Sequence, residues 1–114
     1  MKIESYRFGR ITIDGNVYQN DVKLIPGKAL SEWWRSSGHL VRLEDVKDLL
    51  QSHPDFCVFG TGAYGGMKIS PEAKSALEDQ GTEVIIEKTE PACQRFNRLS
   101  DEGRNVVGAF HLTC

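Results

Sequence analysis

From Arg10 to Ile13 polar and apolar residues alternate, Arg-Ile-Thr-Ile; Asp14-Gly15 interrupts, and Asn16-Val17-Tyr18 resumes. A period of two is that of a half-buried strand, and Asp-Gly suits a type I′ turn because both of its central residues need positive φ. The pattern predicts a hairpin. Val22-Lys23-Leu24-Ile25 predicts a further strand, closed by Pro26-Gly27. The whole stretch from Ile3 to Ile25 is expected to be antiparallel.

The period changes near Leu43. Leu43, Val46, Leu49 and Leu50 recur at helical spacing, Glu44 and Asp45 stand in the first turn, and Pro54 ends the segment. Beyond it the pattern predicts a strand over 55–59, a helix over 70–80, a strand over 82–87, a helix over 90–102 and a strand over 105–112. Ser70 is the expected N-cap of the first of these helices, with Pro71 at its first position and Gly81 just past its end. Thr89 is the expected N-cap of the second, which Gly103 closes. Ala73, Ala76 and Leu77 share one helical face; Ala92, Phe96 and Leu99 share another. Val84-Ile85-Ile86 and Val106-Val107 have the unbroken β-branched character of strands covered on both sides. Strand–helix–strand–helix–strand with short links implies parallel strands. The expected class is therefore α/β: a central mixed sheet with a βαβαβ C-terminal half and antiparallel N-terminal strands.

The chain has 114 residues, which fits a single domain over 1–114. Fourteen basic and sixteen acidic residues give a net charge of -2, without the basic stripe of a nucleic-acid binder. No apolar run approaches the ~20 residues that span a bilayer. Neither nucleic acid nor membrane is an expected partner. The three cysteines, Cys57, Cys93 and Cys114, form no CxxC pair and point to free thiols in a reducing compartment. The opening MKIESYRFG has the form of neither a signal nor a transit peptide. The expected location is the cytoplasm.

Two stretches invite chemistry. FGTGAYGG, residues 59–66, contains Gly60-x-Gly62-x-x-Gly65 directly after a buried strand. In a dinucleotide-binding loop such glycines bring a pyrophosphate against N–H groups at a helix N-terminus. Here the helix signals Ser70 and Pro71 come about five residues too late, so a tight turn is the first account of Gly60 and Gly62. A small-ligand crevice formed with Thr61 and Tyr64 at the carboxyl end of the sheet is the alternative. The second stretch is Trp33-Trp34-Arg35-Ser36-Ser37-Gly38-His39. Adjacent tryptophans cannot both face one core, so one is expected near the surface, where a Trp beside Arg is a common interface anchor. The competing reading places both rings over the core edge with Arg35 stacked on one of them. Arg35 and His39 would lend charge to the crevice if the fold brings them to it. His39, His53, His111 and the cysteines lack short ligand spacing, so no metal is expected. No nucleophile motif is present, and no catalytic residue and no cofactor are assigned.

The pieces WWRSSGHLV, CVFGTG and LEDQGTEVIIEKTEPACQRFNRLSDEGRNVVGAFHLTC resemble the small Mth-type domain family, a domain of unknown function. Its members include an adipogenesis-associated protein and a mitochondrial complex I assembly factor. The likeness spans nearly the whole chain. It is most specific at Thr89, Ala92, Asn97, Leu99, Glu102-Gly103-Arg104 and His111-x-Thr113-Cys114, and the glycines of residues 60–62 also fit. The resemblance implies a three-layer fold and carries no reaction. The expected function is a non-enzymatic protein-binding, assembly or regulatory module, with Trp33 and Trp34 as the contact and an unidentified protein or a second copy of the chain as partner. The alternative is a small-anion or small-ligand binding protein, or a minor enzyme, using Gly60, Thr61, Gly62, Tyr64, Arg35 and His39.

Overall fold

In the computed structural model, which describes residues 1–114, the alternation at the N-terminus is realised as three short antiparallel strands. They are β1 (Ile3–Arg7), β2 (Arg10–Ile13) and β3 (Asn16–Tyr18). Asp14 at φ 47 and Gly15 at φ 82 give the turn its two left-handed residues. Ile11 and Ile13 are buried and Arg10 is exposed, as a period of two requires.

β4 (Val22–Ile25) ends at Pro26-Gly27 as its pattern predicts, and the chain turns there into a second hairpin strand, β5 (Lys28–Leu30), paired antiparallel with it. After β6 (Leu40–Val41), the helical period at Leu43 appears as a 3-10 turn over Leu43–Val46 that runs into the short α1 (Lys47–Gln51). There follow β7 (Phe56–Thr61), β8 (Lys68–Ile69), α2 (Pro71–Asp79), β9 (Glu83–Glu87), α3 (Thr89–Asp101) and β10 (Val106–His111). The main sheet has the order β5-β4-β10-β7-β9. β10 lies antiparallel to β4 and parallel to β7, which in turn is parallel to β9. The sheet is mixed, with a βαβαβ C-terminal half.

Alternation along the central strands sends side chains to two cores. Val58, Val106 and Phe110 join Ala92, Phe96 and Leu99 of α3 and the three-stranded sheet on one face. Cys57, Phe59, Val107 and Ala109 join Ala73 and Leu77 of α2, Leu49 of α1 and Trp33 on the other. Three layers result. Asn97 fastens α3 to the N-terminal sheet by meeting Ile3 as a neighbouring strand would. Its Oδ1 accepts the Ile3 N–H at 2.8 Å and its Nδ2 donates to the Ile3 carbonyl at 2.7 Å.

Ser70 caps α2 as its position predicts, its hydroxyl accepting the Ala73 N–H at 3.1 Å, and Gly81 follows the helix at φ 93. Thr89 does not cap α3. It is the first helical residue, Lys88 occupies the cap position without a side-chain bond, and the Thr89 hydroxyl serves another purpose described below.

Candidate functional site

Asp21 lies in the link between β3 and β4, and His111 ends β10 ninety residues later. The Asp21 carboxylate collects three donors. Oδ2 accepts from Arg35 Nη2 and from His111 Nδ1, each at 2.7 Å, while Oδ1 accepts the Leu112 N–H at 2.9 Å. An ionised carboxylate only accepts, so the ring proton of His111 sits on Nδ1. Arg35 and His111 are 3.5 Å apart because they share that one oxygen. His111 Nε2 is buried without a hydrogen-bond partner.

Arg35 is almost wholly enclosed. Its side chain is 3% exposed; Nη2 also donates to the Gly38 carbonyl at 2.6 Å, and the guanidinium lies 4.3 Å over the Trp33 ring. Trp33 is itself anchored twice, N–H to the Asp21 carbonyl at 2.8 Å and Nε1 to the Asp45 carbonyl at 3.1 Å. Burial is the largest influence on the Asp21 carboxyl and by itself would raise it. The hydrogen bonds from His111, the Leu112 N–H and Arg35 together outweigh it, so the carboxyl is held below its ordinary value. The ring of His39 meets that of His111 edge-on, centroids 5.5 Å apart. Over this cluster opens a shallow cleft of about 290 Å³, bordered by Asp21, Trp34, His39, His111 and Thr113.

The glycine loop is a separate matter. The Gly62 N–H donates to Thr89 Oγ1 at 2.8 Å, and that hydroxyl donates to the His111 carbonyl at 2.6 Å. Ala63 N–H reaches the Thr113 carbonyl at 2.7 Å, and Gly66 N–H reaches the Cys114 oxygen at 2.8 Å. Three of the loop's amides, those of Gly62, Ala63 and Gly66, are thus taken by the start of α3, Thr113 and Cys114. Gly62 has φ 106, and a Cβ there would collide with the Cys114 backbone. At Gly60 a Cβ would come within 2.8 Å of the Phe110 ring and 2.9 Å of Thr89 Oγ1. The glycines allow the chain's own segments to close in.

The residues singled out in the sequence therefore divide. Arg35 and His39 gather at Asp21 and His111. Gly60, Thr61 and Gly62 are buried behind them, with the Thr61 hydroxyl donating to the Glu87 carbonyl at 3.1 Å. Tyr64 is on the surface, 76% exposed, its ring 6.2 Å from that of Phe8. Trp33, expected to share a partner contact with Trp34, is instead 5% exposed and belongs to the core; Trp34 is 75% exposed. Asp21 carries no local signal in the sequence, since its partners lie 14 and 90 residues away. Neither buried thiol is poised as a nucleophile. Burial pushes Cys57 up, and burial with the charge of Glu90 lifts Cys93 to about 12. No helix is long and apolar enough to cross a membrane.

Comparison with known proteins adds a family. The model of a family described as "Protein of unknown function (DUF498/DUF598)" matches residues 3–111. The mouse protein named NADH dehydrogenase [ubiquinone] 1 alpha subcomplex assembly factor 3 is 31% identical over 110 residues, covering 94% of this chain. The chain spans 57% of that relative's length. A crystal structure of a conserved hypothetical protein from Pyrococcus horikoshii is 29% identical and superposes over 100% of both chains with a TM-score of 0.80. The solution structure of a Bordetella pertussis protein described as a Mth938-like domain shares 21% identity and a TM-score of 0.71, over 97% of this chain and 85% of that one. The Mth-type likeness and the three-layer α/β fold are borne out.

Proposed function

The chain belongs to the DUF498/DUF598 family of proteins of unknown function, and from that premise we propose that it is a non-enzymatic protein-binding module serving assembly or regulation in the cytoplasm. The observation that carries this reading is the presentation of Trp34. The residue is 75% exposed, while both neighbours in the chain are fixed: Trp33 in the core, Arg35 on Asp21. A large aromatic held out on a rigid backbone loses little freedom when a partner covers it, which is what a binding anchor needs. The mouse relative, an assembly factor by name, supports the same reading. Tagged wild-type protein and Trp34→Ala are to be recovered from the cells that encode the chain, after cross-linking. A protein retained by the wild type and lost by the variant, at equal thermal stability, is the expected result; partners that do not distinguish the two sink the reading.

A second reading rests on His111. Its side chain is 7% exposed, Nε2 has no partner, and the ring borders the cleft beside Trp34 and His39. An unmet nitrogen on a ring that borders a cleft favours a small ligand with one hydrogen-bonding group. Because Asp21 neutralises Arg35, an uncharged molecule suits the cleft better than an anion. Shifts of the His111 ring and Trp34 indole NMR signals on screening neutral fragments support this reading; shifts confined to other surfaces refute it.

A further inference from the structure

The register of the N-terminal hairpin sets Arg7 directly across from Arg10, with Ser5 across from Thr12 further along the same pair of strands. Both arginines are exposed, and the four residues enclose a polar hollow of about 270 Å³ on the outward face of the sheet. The protein's arginine ion pairs use Arg35, Arg95 and Arg104, leaving Arg7 and Arg10 without a carboxylate. Like charges directly opposite on paired strands repel and weaken the pairing. The fold does not call for them: the inward residues Ile3, Ile11 and Ile13 supply the packing of these strands. A chain with sixteen acidic residues could have matched either arginine with a glutamate across the strand. Next to the pair, Phe8 is 56% exposed and leans on the exposed ring of Tyr64.

Guanidinium forks flanked by hydroxyl donors match carboxylates in shape and charge. We propose that this hairpin face docks an acidic segment of a partner protein, with carboxylates held by Arg7 and Arg10 and an apolar side chain laid on the Phe8–Tyr64 pair. A polyanion such as nucleic acid fits the surroundings poorly. Exposed Glu4 and Asp14 stand on the same hairpin and the chain's net charge is -2, so only a short acidic segment finds attraction there without repulsion around it. The inference rests on the protein-binding reading but not on Trp34.

The probe is a fluorescently labelled peptide of alternating glutamate and leucine, followed by anisotropy at low ionic strength. Saturable binding is expected, weakened about tenfold or more by Arg10→Glu and by Arg7→Glu, and weakened by added salt. Arg10→Glu places opposite charges across the strands, so its thermal midpoint is expected to equal or exceed the wild type's; lost binding is then not lost folding. The neutral variants Arg7→Gln and Arg10→Gln give the same direction should a glutamate variant fail to fold. No binding by the wild type, equal binding by the variants, equal binding of a lysine–leucine peptide, or tighter binding of a single-stranded oligonucleotide each overturns the proposal. Trp34→Ala is expected to bind the peptide as the wild type does. Capture of a partner through Trp34 with no peptide binding removes this inference and leaves the protein-binding reading standing.

Discussion

Thr89 holds both backbone groups of Gly62: its hydroxyl accepts the Gly62 N–H at 2.8 Å and its own N–H donates to the Gly62 carbonyl at 3.1 Å. In a dinucleotide-binding protein a glycine at this point faces a phosphate. Here it faces the first turn of α3. The same glycine pattern thus serves to admit a helix and a tail.

Gly62→Ala is expected to destabilise the protein by roughly 3 kcal/mol, from a left-handed backbone and an overpacked contact acting together. The new methyl meets the Cys114 backbone, which the Gly66 N–H pins in place. Chemical denaturation measures it; a loss below about 1 kcal/mol would mean that the tail simply moves aside.

Thr89→Val keeps the volume and removes the hydroxyl, leaving the Gly62 N–H and the His111 carbonyl unpaired in a buried site. The expected cost is roughly 2–4 kcal/mol, and Thr89→Ser should recover most of it. Thermal unfolding of the two variants side by side decides the point. Equal losses would assign the effect to packing.

Much of this architecture is written in local pattern. The helix expected over 70–80 is found at Pro71–Asp79 and the strand expected over 82–87 at Glu83–Glu87, because caps and β-branched runs act within a few residues. The short strands β6 and β8 escape such reading: two residues each, they exist only because a distant partner holds them in register. The cluster at Asp21 escapes it for the same reason. An aspartate in a polar link looks like a solvated turn until β10 brings His111 against it. Adjacency alone made it legible that one tryptophan of the pair reaches the surface, not that the other belongs to the core. Which was which depended on the bond from Trp33 N–H to the Asp21 carbonyl.

Asp21→Asn removes the only carboxylate facing Arg35 and is expected to cost roughly 3 kcal/mol near neutral pH, since it leaves a nearly buried guanidinium without a counter-charge. The folded carboxyl is depressed below its ordinary 3.8. Its contribution is therefore complete above that value and fades as pH falls through the lower, folded one. The stability gap between wild type and variant should close in that acidic range. A gap that does not change with pH would contradict the ion-pair account.

The two tryptophans are expected to behave oppositely. Trp33→Ala empties a core position and strips the aromatic face from Arg35, costing about 3–5 kcal/mol. Trp34→Ala should stay within about 0.5 kcal/mol of the wild type. Tryptophan fluorescence sharpens the contrast, because an external quencher should reach Trp34 and spare Trp33.

The strand at the middle of the main sheet, β10, is the last of the ten to be synthesised, and both of its neighbours, β4 and β7, precede it in the chain. Until residues 106–111 leave the ribosome, the β4–β5 hairpin and the β7–β9 pair lack the strand that joins them into one sheet. Completion of the main sheet then waits for β10, and the nascent chain carries the bare edges of β4 and β7 meanwhile. A ribosome stalled before Val106 should hold a protease-sensitive chain that becomes resistant once β10 is released.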